Sequence, residues 1–591
     1  MVDAERSTGA AHPPPRRTRT PPAAHVLHRG AGPLDRRGLR WLRADAGGLI
    51  AATVLAMLAM TPSLIPRTWL FQGIASGLSG AAGYAVGVAV WWVVRHTRAG
   101  VRGTAHVRAW APRALHRAAW PLLLVAALVS VVVMLVIGAA WQRGLAALSG
   151  APGPATAAYL RAAPVALLVT TLLVGVVRLA RHTDHVLTRG LRRWARLPRR
   201  VAGTVAVVLL VVVVAALLNQ VVLRASLAVA DSAFAGRNDQ LAPGLVAPVS
   251  PTRSGSPASL VRWDSLGREG RRFVTGGRRP ADLARVSGRA PVDPVRAYVG
   301  LESAPGADAQ AALAVAELER SGAFSRRILV VATTTGTGWV DGPVADDVEM
   351  LYGGDSAIVA TQYSYLPSWL SFLVDRSRAE ENGRKVFDAV AARVAAIPPG
   401  QPRPRLVAFG ESLGSQGSEA AFSSLADARA HADAVLWVGP PHSNRLWSSL
   451  EDRRDPGTPE VRPTYADGLV VRFTGGRDTP GVAATPPTPW VEPRVLYLQH
   501  ASDPIVWWSP QLLWKRPDWL VEPRGRDVSG AMSWYPVVTF WQVTADMTNA
   551  QSTPDGHGHV YEHEVLDAWL AVAAPDGWGP ADTARARSVA G

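Results

Sequence analysis

The chain has 591 residues, more than one hydrophobic core serves, since cores stop growing at roughly 250–300 residues, so at least two domains are expected. It contains no cysteine, which excludes a disulfide framework and a thiolate zinc site. A net charge of +16 would suit a nucleic-acid binder, but residues 1–45, 95–118 and 178–200 hold 23 of the arginines with only five acids, and the remainder is close to neutral. No nucleic-acid partner is expected. Heavy use of Arg, Ala, Gly and Pro with almost no lysine suggests a high-GC bacterial genome.

Residues 1–45 are rich in Pro, Arg and Ala without apolar periodicity, and read as a disordered basic tail lying against anionic lipid. Five apolar stretches follow within residues 46–222: Ala46 to Ser63, Ile74 to Val94, Pro121 to Trp141, Pro164 to Ala180, and Val201 to Val222. A membrane span needs about 20 mostly apolar residues; the second, third and fifth meet that, whereas Pro62 ends the first early and the fourth is short. The segments 1–45, 95–118 and 178–200 carry nine, six and eight arginines, whereas 64–73 and 142–163 carry one and two. Under the positive-inside rule the arginine-rich set is cytoplasmic, and an odd number of spans puts everything after Val222 outside the cytoplasm. Trp69, Trp91, Trp92, Trp120 and Trp141 fall at predicted span ends, as interfacial aromatics do. The absence of acids inside the spans leaves nothing for a proton or ion pathway, and Gly83-x-x-x-Gly87 reads as close packing within the bundle. A cleaved signal peptide is the weaker reading of the first stretch, because no small-x-small site follows it.

Residues 223–290 read as a linker and lead-in, 291–575 as a folded domain, and 576–591 as a disordered tail. From about residue 290 short β-branched runs alternate with helical ones, the pattern of an α/β domain. Strands are predicted at Ile328 to Ala332, Ala357 to Thr361, "RLVAFG", Val435 to Val438 and Val495 to Leu498, and helices at Glu380 to Ala396 and Gln416 to Ala430. Continuously apolar strands imply helices on both faces, hence a mostly parallel, doubly wound sheet.

Chemistry in such a sheet gathers at the C-terminal ends of strands. The third predicted strand runs into Gly410-Glu411-Ser412-Leu413-Gly414, a Gly-x-Ser-x-Gly between strand and helix, the setting of a nucleophile elbow, with the Leu413 N–H placed to meet an oxyanion. The first ends in a Thr/Gly-rich run from Thr333, where Thr334 to Gly336, chiefly Thr335 and Gly336, are placed to give the second oxyanion donor. The last ends in "QHASDP", which sets Asp503 just past the strand as an orienting acid, with Asp478 and Asp555 as alternatives. "PDGHGHVYEHEV" sets His557 and His559 on a Gly-rich turn before a terminal helix; His559 is the preferred base and His557 the alternative. Ser, Asp, His is the chain order of an α/β-hydrolase triad. Each motif alone is weak, because Gly-x-Ser-x-Gly recurs by chance and Asp-Pro is commonly a turn; their joint order carries the reading. The cluster His557, His559, Glu562 and His563 raises a metal alternative, but it lacks a spaced His-Glu-x-x-His motif, and no metal or cofactor is expected.

The stretches "VRAYVGLESA", "RRILVVATTTGTGWVD", "QYSYLPSWLSFLVD", "AFGESLGSQGSE" and "GHGHVYEHEV" together resemble a bacterial family of membrane-anchored α/β-hydrolases, from the first span to about residue 573. The resemblance implies a multi-span anchor, a hydrolase fold and Ser412 as nucleophile, and no particular substrate. The aromatics of Gln362 to Trp369, with Trp507 and Trp508, read either as an apolar pocket lining or as packed loop. The leading expectation is a serine esterase acting on a lipid-like or cell-envelope ester at the membrane. Acyl transfer by the same triad, or a non-catalytic membrane scaffold, are the alternatives.

Overall fold

The structure, a computed structural model, describes residues 45–97, 113–216, 234–240, 243–374 and 376–590. The basic tail expected at 1–45 falls almost wholly outside the described residues, as do the end of the fifth apolar stretch and the segment 221–233.

Five apolar helices open the described chain: α1 (Ala46–Leu58), α2 (Trp69–His96), α3 (Arg113–Leu148), α4 (Ala162–Trp194) and α5 (Arg199–Ala216). Four are long and apolar enough to cross a membrane; α1, at 13 residues, is not. At 1.5 Å per residue it reaches about 20 Å, short of the roughly 30 Å hydrocarbon core. The expected first span, Ala46 to Ser63, is thus corrected at its C-terminal end. Residues after Leu58 leave the helix because Pro62 cannot continue it and because they are taken up elsewhere, as shown below. The fourth stretch, the shortest by sequence, lies inside the 33-residue α4, which runs on through its arginines.

Glycine sets how closely α1 and α2 approach. A Cβ on Gly83 would lie 2.5 Å from the Ala51 carbonyl oxygen, and one on Gly87 2.2 Å from that of Gly47. The Gly83-x-x-x-Gly87 motif therefore packs two helices of one chain.

The C-terminal half is built on seven strands, β1 (Val295–Val299), β2 (Ile328–Thr333), β3 (Ser356–Thr361), β4 (Arg405–Glu411), β5 (Ala434–Val438), β6 (Val471–Thr474) and β7 (Arg494–Leu498). All pair in parallel, in the order β1-β3-β2-β4-β5-β7-β6. Runs such as "ILVVAT" are buried along their whole length, because helices cover both faces. Gly306–Arg320 and Arg376–Ala395 pack together on one face, and Gly342–Leu351 and Glu562–Ala573 on the other. β1 and β6 add to the five strands expected. The single helix expected over Gln416 to Ala430 is instead two, Leu413–Glu419 and Leu425–His431.

Two regions expected to lie outside the domain belong to it. Within the lead-in, Trp263–Leu266, Gly267–Thr275 and Pro280–Ser287 are ordered helices whose Leu266, Val274, Leu283 and Val286 join the main core. The predicted disordered tail at 576–591 contains the helix Pro580–Ala590, with Ala586 fully buried and the Val589 carbonyl accepting from Arg278 Nη1 at 3.2 Å. Ala586, with the half-buried Val589 and Ala590, packs against the main core, a contact that composition does not reveal.

The loop between α1 and α2 is built into this domain. Leu64 and Ile65 are 2% exposed and belong to the core that contains the sheet. Asp546, fully buried on the helix Val538–Met547, accepts from Ser63 Oγ and from the Leu64 N–H at 3.1 Å, and its Oδ1 lies 3.3 Å from Arg67 Nε. Gln542 donates to the Thr61 carbonyl at 3.1 Å, and Asn549 to that of Pro66 at 2.9 Å. Arg67 in turn donates its N–H to Gln142 of α3 at 2.7 Å.

Candidate active site

The chain reverses its direction of winding between β2 and β4: β3 lies beyond β2, and β5 beyond β4. In an open parallel sheet the crevice at such a switch point is where ligands sit. The ends of β2, β4, β5 and β7 are in register there, with Thr333 opposite Gly410, Glu411 opposite Val438, and Val438 opposite Leu498. Each of the expected site segments follows one of these ends or folds back onto it.

Ser412 leaves β4 with φ 54° and ψ −129°, a region that non-glycine residues rarely adopt, and its N–H donates to the Val438 carbonyl at 2.9 Å. The turn needs both flanking glycines for space. A Cβ on Gly410 would lie 2.3 Å from the Gly414 carbonyl oxygen, and one on Gly414 2.3 Å from that of Thr333. Leu413 begins the following helix, so its N–H has no intrahelical acceptor.

Asp503 and His559 meet. Asp503 is completely buried, and its Oδ2 lies 2.6 Å from His559 Nδ1 and accepts from the Tyr561 hydroxyl at 2.7 Å, while Oδ1 accepts from the Ile505 N–H at 2.8 Å. The bond to a carboxylate puts the proton on Nδ1 and leaves Nε2 able to accept. That Nε2 is buried and has no hydrogen-bond partner among the described residues. Gly439, which follows β5 at φ 53°, makes room for the ring: a Cβ there would lie 2.4 Å from His559 Cε1.

The other histidines go elsewhere. His557 Nδ1 faces Asp527 at 3.7 Å, and His563 pairs with Asp555. Three histidines thus face three separate carboxylates, and Glu562 lines the cleft. Asp478 pairs with Arg462, on the surface.

The expected second oxyanion donor needs correction. The Gly336 N–H donates to the Tyr363 hydroxyl at 2.9 Å, and the Thr335 N–H to the Trp339 carbonyl at 3.2 Å, so neither amide is available in this arrangement. Thr335 stays in the site through its side chain, whose Oγ1 is buried without a partner.

A cleft of about 480 Å³ opens beside these groups, lined by His559 and Glu411 and not by Ser412, Leu413 or Asp503. Thr335, Glu411, His559 and Tyr561 line its floor; Trp339, Tyr365, Pro367 and Ser368 line one side. Phe234, Arg237, Arg268, Glu269 and Arg272, from the expected lead-in, line another. Of the aromatics singled out by sequence, Tyr365 reaches the cleft, Trp369 is 57% exposed, and Trp507 is wholly buried, its indole N–H on the His500 carbonyl at 3.0 Å. Burial, with the neighbouring charges of Asp341, Asp503 and Glu562, pushes the Glu411 carboxyl well above its ordinary range. Burial, then Glu562, pushes Asp341 up to about 7.

Residues 295–586 match a family model described as "Alpha/beta-hydrolase family", and residues 60–277 match its partner, "Alpha/beta-hydrolase family N-terminus". The chain belongs to this alpha/beta-hydrolase family. The N-terminal model covers four of the apolar helices together with the lead-in helix Gly267–Thr275. Comparison with curated proteins and with solved structures finds no match. In this alpha/beta-hydrolase Tyr561, Gly439 and His500 escape sequence reading because each acts through a contact far along the chain. The single available signal is that His500 precedes Asp503 by three positions and Tyr561 follows His559 by two.

Proposed function

We propose that the protein is a membrane-anchored serine hydrolase that cleaves an ester at the outer face of the cell membrane. Ser412 Oγ attacks the carbonyl carbon; His559 Nε2 takes the hydroxyl proton and returns it to the leaving alcohol; Asp503 fixes the imidazole tautomer and stabilises its charged form. The Leu413 N–H, with the Thr335 hydroxyl, receives the developing oxyanion. Water then repeats the attack on the acyl-Ser412 ester and restores the serine.

The observation that carries this reading is the Asp503–His559 bond, which leaves a buried, unpartnered Nε2 on a ring that lines the cleft together with Glu411, the neighbour of Ser412. The cleft mixes three arginines with carboxyls and aromatic rings, which favours an ester carrying polar or charged groups, as cell-envelope esters do, over a purely aliphatic one. Raised titration of Glu411 keeps that carboxyl from presenting a further negative charge to the oxyanion near neutral pH. Labelling of the detergent-solubilised full chain with a fluorophosphonate tests the proposal. Labelling that disappears in Ser412→Ala supports it, and labelling that persists at another serine overturns it.

A further inference from the structure

His500 has no role in the chemistry just described, yet it is fully enclosed between the segment carrying Asp503 and the segment carrying His559. Its Nδ1 lies 2.9 Å from the Gly558 carbonyl oxygen and its Nε2 2.7 Å from Glu564 Oε1. A carbonyl oxygen can only accept, so Nδ1 carries a proton. Glu564 uses its other oxygen to accept from the Gly476 N–H at 2.7 Å and the Thr479 hydroxyl at 2.9 Å, donors that favour the ionised carboxylate. An ionised Glu564 requires a proton on Nε2 as well.

We infer that His500 is a positioning residue, held as an imidazolium, that clamps the Asp503 loop to the His559 loop; the inference rests on the roles proposed for those two residues. Gly558, immediately before His559, is held at both polar atoms: its carbonyl accepts from His500, and its N–H donates to Ser502 Oγ at 2.9 Å. The His500 backbone N–H donates to the Tyr561 hydroxyl at 3.1 Å, and that hydroxyl donates to Asp503. The His500 ring also stacks on that of Tyr561, with centroids 4.0 Å apart. A neutral ring has one N–H for two acceptors, so losing the proton releases either Gly558 or Glu564.

The titratable groups facing His500 agree with this state. Burial disfavours the charged ring, but the bond to Glu564, its charge, the Gly558 carbonyl and Asp503 outweigh burial and hold the ring above the ordinary histidine range. Burial would raise Glu564, but His500 first, then Thr479 and Gly476, hold it below the usual carboxylate range. Asp527, which burial would raise but the neighbouring His557, Ser502 and His500 hold below the usual carboxylate range, adds a further negative charge nearby. Tyr561 is pushed well above its ordinary value by burial and by Asp503, so it stays neutral.

Two measurements on the full chain test the clamp. With a soluble chromogenic ester, His500→Gln should lower kcat by about 10²-fold, the scale of a small misplacement of a catalytic group, with KM unchanged. The alkaline fall in kcat that His500 imposes on the wild type should be missing from the variant; an identical alkaline limb in both overturns the inference. Selective ¹⁵N-histidine spectra, with His500 assigned by its loss in the variant or by labelling near Glu564→Gln, should show both ring nitrogens protonated near neutral pH. A neutral ring overturns the clamp, and this readout decides the matter even where Ser412 proves unreactive or His500→Gln does not fold.

Discussion

Arg67 and Asp546, which lie in the two halves of the chain, face each other with Nε and Oδ1 3.3 Å apart, and neither side chain reaches solvent. Removing one member of such a buried pair strands the other's charge, which costs about 3–5 kcal/mol. Asp546→Ala should therefore lower the melting temperature of the solubilised protein by many degrees, and limited proteolysis should then cut between Ala59 and Arg67, which the intact junction buries. A chain comprising residues 291–591 alone should fail to give a cooperative melt, because Leu64 and Ile65, and Leu266, Val274, Leu283 and Val286 of the lead-in, are all missing from its core.

The backbone at Ser412 is held at φ 54°, ψ −129°, a conformation that costs a side-chain-bearing residue roughly 1–3 kcal/mol. Ser412→Gly should then stabilise the protein by about 1 kcal/mol relative to Ser412→Ala, which keeps the Cβ and the strain. Both variants should be inert toward the fluorophosphonate. Equal stability of the two in denaturant titrations would mean that the strain is absent in solution.

Asp503→Asn should reduce kcat by about 10⁴, the loss seen when the base sits in the wrong tautomer. Steady-state rates for Asp478→Asn and Asp555→Asn should match wild type, since their carboxylates serve Arg462 and His563. A large loss at either would relocate the acid.

Asp341 titrates at about 7 in the folded chain, because it is buried and faces Glu562, against about 3.9 when unfolded. The folded state therefore keeps a proton that the unfolded state releases between those values. The resulting penalty is absent below about pH 4, grows through the interval, and is complete above about pH 7. Asp341→Asn should raise the melting temperature at alkaline pH and leave it nearly unchanged near pH 4, which thermal melts across the range will read.

Arginine sets the proposed orientation. A reporter active only outside the cytoplasm should work when fused after residue 240 and fail when fused at residue 190, since each arginine near an anionic inner surface contributes about 1 kcal/mol of attraction. Activity at 190, or silence at 240, would reverse the side on which the substrate is sought.

The parts of the site carried by local pattern are legible in the sequence. Gly410 and Gly414 mark the turn because only residues without a Cβ let β4 and the next helix touch, and the strand order brings Asp503 and His559 to one edge. What escapes depends on partners far along the chain. Gly336 looks like an oxyanion donor until Tyr363, 27 positions on, captures its amide. Residues Ala59 to Ser63 look like the end of a span because hydropathy cannot distinguish burial in lipid from burial against Gln542 and Asp546. The helix Pro580–Ala590 reads as disordered because its apolar face is mostly alanine, too weak a signal to stand out from composition.

The burial of Ser63 to Arg67 also has a cost in time. Its partners lie about 480 positions later, with Ser63 and Asp546 separated by 483. At roughly 5–20 residues per second of synthesis, the loop waits about 25–100 s after emerging before Asp546 exists to receive it. Throughout that interval an apolar Leu-Ile pair, and an arginine still without its Asp546 partner, have no fold to enter. How long the loop stays exposed is thus set by the rate at which the 483 positions from Ser63 to Asp546 are made.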